Sequence, residues 1–187
     1  MSLRKLIPLL LVPALAALFY TFQRMENGAI EATAATARLP RYTAANATLT
    51  RFDADGEVLL QGHADTVDYF DDASGRAHGL QLDLLSGGDA PWHLTAPAAT
   101  LPAHQHRFLV EGPVIADGQW PDSGENLQFH TDRLWVDPDR HELQTDAPLD
   151  WTGPTRSGKA VGMRADWSGN RVQLLHDVHM RYEAPPH

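Results

Sequence analysis

Three clusters in this 187-residue chain carry residue types suited to metal chemistry. Asp53-Ala54-Asp55-Gly56-Glu57 spaces its carboxylates alternately, as loops that surround a hard cation do. An EF-hand loop starting at Asp53 needs Gly at its sixth place and Glu at its twelfth, where Val58 and Ala64 stand, so a hairpin turn is the better reading. His104-Gln105-His106 and His176-Asp177-Val178-His179 each offer two imidazoles at a spacing open to zinc or copper. Neither brings a third ligand in register, so no metal site and no cofactor is assigned.

Nucleophilic chemistry has even less to work with. Cysteine is absent, there is no G-x-S-x-G elbow, and the six serines sit at the N-terminus or among Gly, Asp and Lys in turn-like segments. No P-loop or dinucleotide fingerprint occurs. Acidic residues are plentiful, but nothing singles out a pair for glycoside cleavage, and carboxylates on strand faces are normally solvated. The chain reads as a non-enzyme with no catalytic residue.

Any function must then come from the elements themselves. Four times, at intervals of 32, 35 and 34 residues, a small residue is followed by a partner that is usually Asp and then by an apolar residue. The sites are Ala64-Asp65-Thr66-Val67, Ala96-Pro97-Ala98-Ala99, Thr131-Asp132-Arg133-Leu134 and Ala165-Asp166-Trp167. A period of that size marks a repeated supersecondary unit, here a stack of β-hairpins. In the last three, a second apolar run follows and is expected to end at a turn, at Gly112-Pro113, Asp146-Ala147-Pro148 and His176-Asp177. Asp55-Gly56, Gly87-Gly88, Asp117-Gly118, Asp137-Pro138 and Ser168-Gly169-Asn170 supply further turn chemistry.

Between these points the chain alternates with period two, which turns one face inward. Trp92, Leu94 and Ala96 oppose His93 and Thr95, while Leu127 and Phe129 oppose Gln128 and His130. Val161, Met163, Ala165 and Trp167 alternate in the same way, as do Val178, Met180 and Tyr182. Short strands separated by turns every eight to twelve positions predict an all-β roll, sandwich or barrel from Tyr42 onward. Pro113 removes a backbone donor, so its strand is expected to be an edge or to end there.

The N-terminus differs in kind. After Arg4-Lys5, Leu6 to Phe22 runs seventeen residues without a charge, longer than a signal-peptide core, and no small-residue cleavage site follows closely. Residues 1–24 therefore read as an uncleaved transmembrane anchor that includes Leu6, Leu10, Leu15, Leu18 and Phe22. Basic residues before the span put the N-terminus in the cytoplasm and the bulk of the chain outside it. Residues 25–41 form an Ala/Thr-rich linker, 42–183 the β domain and 184–187 a Pro-rich tail. Beyond Arg24 twelve basic residues face 24 acidic ones. Such an excess of negative charge argues against nucleic acid as a partner.

The apolar faces gather Trp92, Leu94, Phe108, Val110, Leu127, Phe129, Leu134, Val136, Leu149, Trp151, Met163, Leu174 and Met180. Alternation marks them as core. In a roll that does not close tightly the same residues would line a groove wide enough for acyl chains, and the period alone does not choose between the two.

The order of motifs resembles the LptC family, the membrane-anchored periplasmic component of the lipopolysaccharide export system. The resemblance runs from the anchor to Tyr182. It includes Pro40-Arg41-Tyr42, the Asn46 to Gly56 hairpin, Trp92-His93-Leu94-Thr95-Ala96 leading to Leu109-Val110-Glu111-Gly112, and Leu127-Gln128-Phe129-His130-Thr131. Leu143-Gln144-Thr145-Asp146-Ala147-Pro148-Leu149, Gly162-Met163 and Val178-His179-Met180-Arg181-Tyr182 complete it.

That resemblance implies a β-jellyroll of OstA-like repeats, two facing antiparallel sheets, holding lipopolysaccharide acyl chains in its interior. It implies an inner-membrane ABC transporter complex (LptB/LptF/LptG-like) as the donor and an LptA-like periplasmic bridge protein as the acceptor. The acceptor would pair with a C-terminal edge made by Val172, Leu174, Leu175, Val178, Met180 and Tyr182. Unpaired strand edges accept another chain's strand. A scaffold with a packed interior, recruiting envelope partners through the same edges, is the alternative.

Overall fold

The computed structural model describes residues 39–85, 91–120, 123–169 and 171–183. The anchor, most of the linker, Gly87-Gly88, Asn170 and the tail lie outside the described residues. From Pro40 the chain forms a unit of its own. Its described residues form nine strands: β1 (Tyr42–Phe52), β2 (Val58–Tyr69), β3 (Gly75–Leu84), β4 (Trp92–Leu101), β5 (Phe108–Gln119), β6 (Asn126–Asp137), β7 (Glu142–Thr152), β8 (Arg156–Asp166) and β9 (Arg171–Tyr182). They make one antiparallel sheet in sequential order from β1 to β9. The roll is therefore a meander, without the Greek-key crossings that define a jelly roll in the strict sense. Because β1 and β9 do not pair with each other, the sheet keeps two free edges.

What lets one sheet build a core is a crease across its middle. Every one of the eight strand pairs breaks its ladder near the centre, beginning where Asn46 and Asp65 drop out between β1 and β2. β5, β7 and β9 each carry one residue more across the break than the strands beside them. An extra residue is a β-bulge, which bends its strand and sharpens the twist. In β4 the buried set changes from Trp92, Leu94 and Ala96 to Ala99, and in β6 from Leu127 and Phe129 to Leu134 and Val136. The bulged strands keep one parity across the crease instead, with Val110, Val114 and Ala116 buried in β5 and Leu143, Ala147, Leu149 and Trp151 in β7. The extra residue offsets the switch that the fold imposes on their neighbours.

Glycines mark the crease where a side chain has no room. Gly79 has φ +64°, and a Cβ there would stand 2.0 Å from an Asp65 carboxylate oxygen. Gly112 has φ +92°, and its Cβ would meet Pro97 at 2.5 Å. The small-residue motifs of β2 and β4 thus face left-handed glycines of the next strand, a conformation glycine adopts without steric cost. The repeat seen in the sequence is a repeat of bends. Its fourth member departs from this, since Ala165-Asp166 ends β8 and the bend in that strand is at Gly162, φ +81°.

Several expected turns are corrected accordingly. Gly112-Pro113, Asp146-Ala147-Pro148 and His176-Asp177 lie inside β5, β7 and β9. Pro113 is neither at an edge nor at a strand end, because a bulge needs no donor from it. Asp117-Gly118 is strand as well, with the Trp92 ring lying 2.6 Å from where a Gly118 Cβ would be. Asp55-Gly56 and Asp137-Pro138 do turn the chain.

Candidate functional site

The sequence clusters that suggested metal chemistry are accounted for locally. Asp53 Oδ1 accepts the backbone N–H groups of Asp55 and Glu57, both at 2.9 Å, and Gly56 takes φ +85°. This is an Asx-type hairpin turn between β1 and β2. His106 Nδ1 contacts Asp139 at 3.0 Å, whereas His176 and His179 are exposed on β9. Among the described residues, no three His, Asp or Glu side chains converge.

Ten of the thirteen interior residues named from alternation are buried in one cluster: Trp92, Leu94, Val110, Leu127, Phe129, Leu134, Val136, Leu149, Trp151 and Met163. Phe108 and Leu174 are half-buried against it. Met180 is 52% exposed. An aromatic ladder fills this part of the roll, with Trp92 stacked on Phe129 at 5.7 Å between centroids and Phe129 tilted against Trp151 at 6.4 Å. The rings pack because the floor is bare: Trp92 lies over Gly118 and Trp151 over Gly158. Thr145, the one polar residue in the core among the described residues, accepts the Ala147 N–H at 3.0 Å.

The open part of the interior is elsewhere. Between β1, β2 and β3, with Ala99, Leu101 and Phe108 at its far side, lies a cleft of about 360 Å³. Its walls are Ala44, Ala47, Leu49, Gly62, Ala64, Val67, Ala77, Leu80 and Leu82, joined by Tyr69 at one end. The volume falls within the roughly 300–1,000 Å³ typical of small-molecule sites. A larger hollow of about 450 Å³ lies over the crease, where Val114, Leu149 and Val161 share the lining with Asp132, Asp150, Lys159 and Asp177, so it is more polar than the cleft. Sequence reasoning named only Phe108 among the cleft residues. Its signal was there in the run of Ala and Gly on the inward positions of β1 to β3, which leaves volume unfilled.

The two edges also differ. β1 exposes Tyr42, Leu49 and Phe52, at 59%, 60% and 57%. On β9, Val172, Leu174 and Leu175 are half-buried, while Val178, Met180 and Tyr182 are exposed. The alternation of those last three does not turn a face inward, because beyond the Asp177 bulge no layer of the described residues covers β9. Both edges present a row of backbone N–H and C=O groups to solvent.

Charged groups cluster at two loop regions. Glu125 Oε1 accepts the Thr155 N–H at 2.6 Å, and its other oxygen meets the Thr155 hydroxyl at 2.9 Å and the Arg156 guanidinium at 3.0 Å. The Thr155 backbone bond, with the Thr155 hydroxyl and Arg156, holds the Glu125 carboxyl below the usual range against the opposing pull of desolvation. Asp139, in the turn between β6 and β7, joins His106 from the β4–β5 loop and Arg51 from β1. The His106 hydrogen bond first, and Arg51 after it, hold the Asp139 carboxyl below its ordinary value against desolvation. No described helix is long and apolar enough to cross a membrane.

Comparison with known proteins agrees with this architecture. The family described as "Lipopolysaccharide-assembly, LptC-related" matches residues 9–183. Among curated proteins nothing matches significantly. A solved structure similar to the chain is that of LptH from Pseudomonas aeruginosa, described as the LptA homologous periplasmic component of the conserved lipopolysaccharide transport device. The two superpose with a TM-score of 0.51 at 9% identity, covering 67% of this chain and 95% of that one. At that identity the likeness is one of fold.

Proposed function

The chain belongs to the LptC-related lipopolysaccharide-assembly family, and from that membership we propose that it binds lipopolysaccharide by its acyl chains and hands it along a periplasmic bridge. As a family member it is a component of lipopolysaccharide transport, with a fold like that of LptA-type proteins. In this reading residues 1–24 anchor it in the inner membrane beside an ABC transporter (LptB/LptF/LptG-like), with the N-terminus in the cytoplasm. Lipid enters at the β1 end and leaves toward an LptA-like partner paired with β9.

One observation carries the lipid reading: the apolar cleft of about 360 Å³ lies at the β1 end and is lined in part by Leu80, Leu82 and Ala99 of the apolar core. Hydrocarbon sheltered there is favoured by about 25 cal/mol per Å² removed from water. The exposed β9 strand, with Val178, Met180 and Tyr182, supports partner docking by strand addition. A photo-crosslinking residue placed in turn at Phe108, Phe129, Trp151 and Met180 tests the whole path in cells. Lipopolysaccharide captured at Phe108 and then farther in is the expected result; capture at none of the four defeats the proposal.

The packed scaffold is the second reading, and the burial of Trp92, Phe129 and Trp151 favours it. It predicts protein crosslinks at β9 with no lipid at Phe129 or Trp151. The two readings part at the aromatic ladder, since an acyl chain travelling from β1 to β9 has to separate rings that are now in contact.

A further inference from the structure

Strand β1 forms one wall of the cleft, yet its backbone pairs with β2 alone. One ionic contact ties it to an element that is not its neighbour. Arg51 lies two residues beyond the cleft residue Leu49, on the same face by strand alternation. Its guanidinium reaches Asp139, 88 residues away in the turn between β6 and β7. The other oxygen of Asp139 contacts His106 at 3.0 Å. His106 in turn stands two residues before Phe108, on the far side of the cleft. A single carboxylate therefore joins the end of one cleft wall to the end of the other.

We propose that Arg51, Asp139 and His106 form a clasp across the mouth of the cleft, which must release before an acyl chain enters. The proposal rests on the reading of the cleft as an acyl site and assigns that site its gate. The parts suit a latch rather than a permanent strut. All three side chains are partly exposed, at 39%, 43% and 79%, and exposed ion pairs are weak enough to break readily. Of the other cations near the clasp, Arg107 is engaged over the Trp135 ring at 4.5 Å and Arg140, next to Asp139, faces Asp137 at 3.9 Å. Among the described residues, the side chains at the opposite end of β1 contact its neighbour β2, Thr43 bonding Asp68 at 2.7 Å and Tyr42 lying against Tyr69. With the clasp released, β1 and its exposed Leu49 are free to swing outward about β2.

The absence of cysteine makes the test clean. The full chain is placed in nanodiscs and labelled with a photoreactive diazirine fatty acid, and mass spectrometry locates the label. Asp139→Asn is expected to speed labelling of the Leu82 and Leu101 peptides about fivefold, the size of one exposed ion pair. In a second variant, Arg51→Cys with Asp139→Cys, labelling is fast while the thiols are free. It falls below that of the parent chain when a reducible bis-methanethiosulfonate bridges them, and recovers on reduction. Labelling indifferent to the bridge overturns the clasp and leaves the acyl site standing. No cleft label in any variant overturns the acyl reading instead, and the clasp is then judged by hydrogen exchange. Faster exchange of the β1 amides near Leu49 in Asp139→Asn upholds it as a strap on β1, and unchanged exchange overturns it.

Discussion

The β1–β3 end and the β5–β8 body are built on the same sheet, bent at the same crease, yet one encloses a cleft and the other a solid core. Side-chain volume makes the difference. Inward positions of the first three strands carry Ala44, Ala47, Gly62, Ala64, Gly75 and Ala77, whereas the body carries Phe129, Trp151, Met163 and Trp167. Large rings in the body are accommodated by glycines beneath them; at the other end the small residues face one another, and among the described residues no side chain fills the gap. A β-roll therefore needs no change of backbone to become a container, only a change in what its inward positions hold.

The largest expected effect is on the filled side. Trp151→Ala removes a ring that is 1% exposed and should cost about 3–5 kcal/mol in urea denaturation. Leu49→Ala, at a cleft wall that is 60% exposed, should cost under about 0.5 kcal/mol. Equal losses would mean that the two regions are packed alike. Next comes Gly118→Ala, whose Cβ would collide with the Trp92 ring at 2.6 Å and should cost about 1–3 kcal/mol by the same measurement. A neutral result there would deny that the aromatic ladder rests on bare backbone. Ala77→Leu sharpens the contrast from the other side: filling the cleft should leave stability within about 1 kcal/mol but abolish cleft labelling by a fatty-acid probe.

The smallest effect concerns pH. Glu125 and Asp139 have folded-state pKa values below their unfolded ones, so each contributes stability that is present above the unfolded value and lost as pH falls through the folded value. Acid titration of stability below about pH 4.5 should therefore be shallower in Glu125→Gln than in the parent chain. The same shallowing is expected for Asp139→Asn, whose carboxyl sits at the cleft end and links the two regions. An unchanged acid limb in both would show that neither carboxylate gains from its partners.

Much of this could be read from the chain. Alternation at Trp92-Leu94-Ala96 and Leu127-Phe129 gave the inward face correctly, because burial on one side of a pleated strand imposes period two on the residues themselves. The 32-to-35-residue cadence identified a repeated unit. It did not reveal that Gly112-Pro113 and Asp146-Ala147-Pro148 bend a strand in place of ending it. Gly, Asp and Pro serve a bulge as well as a turn, and only the partner strand's register distinguishes the two. Asp117-Gly118 failed for a related reason, since the glycine is there for the Trp92 ring, which is distant in sequence. The inward face read for Val178, Met180 and Tyr182 also failed, because alternation shows which side of a strand is apolar and not whether another layer covers it.

The cleft and its clasp mark the same boundary. Ala and Gly at alternate positions of β1 to β3 are visible in the sequence, but an empty volume exists only where two such faces meet across a fold. Arg51 and Asp139 are ordinary surface residues until the crease brings a strand end and a distant turn together. Legible in the residues alone were the all-β alternation, the inward face of Trp92-Leu94-Ala96 and Leu127-Phe129, and the repeat, all of which are local or periodic properties. Tertiary structure alone decided where the sheet creases, which part of the interior is filled and what spans the opening, because those depend on contacts between residues tens of positions apart.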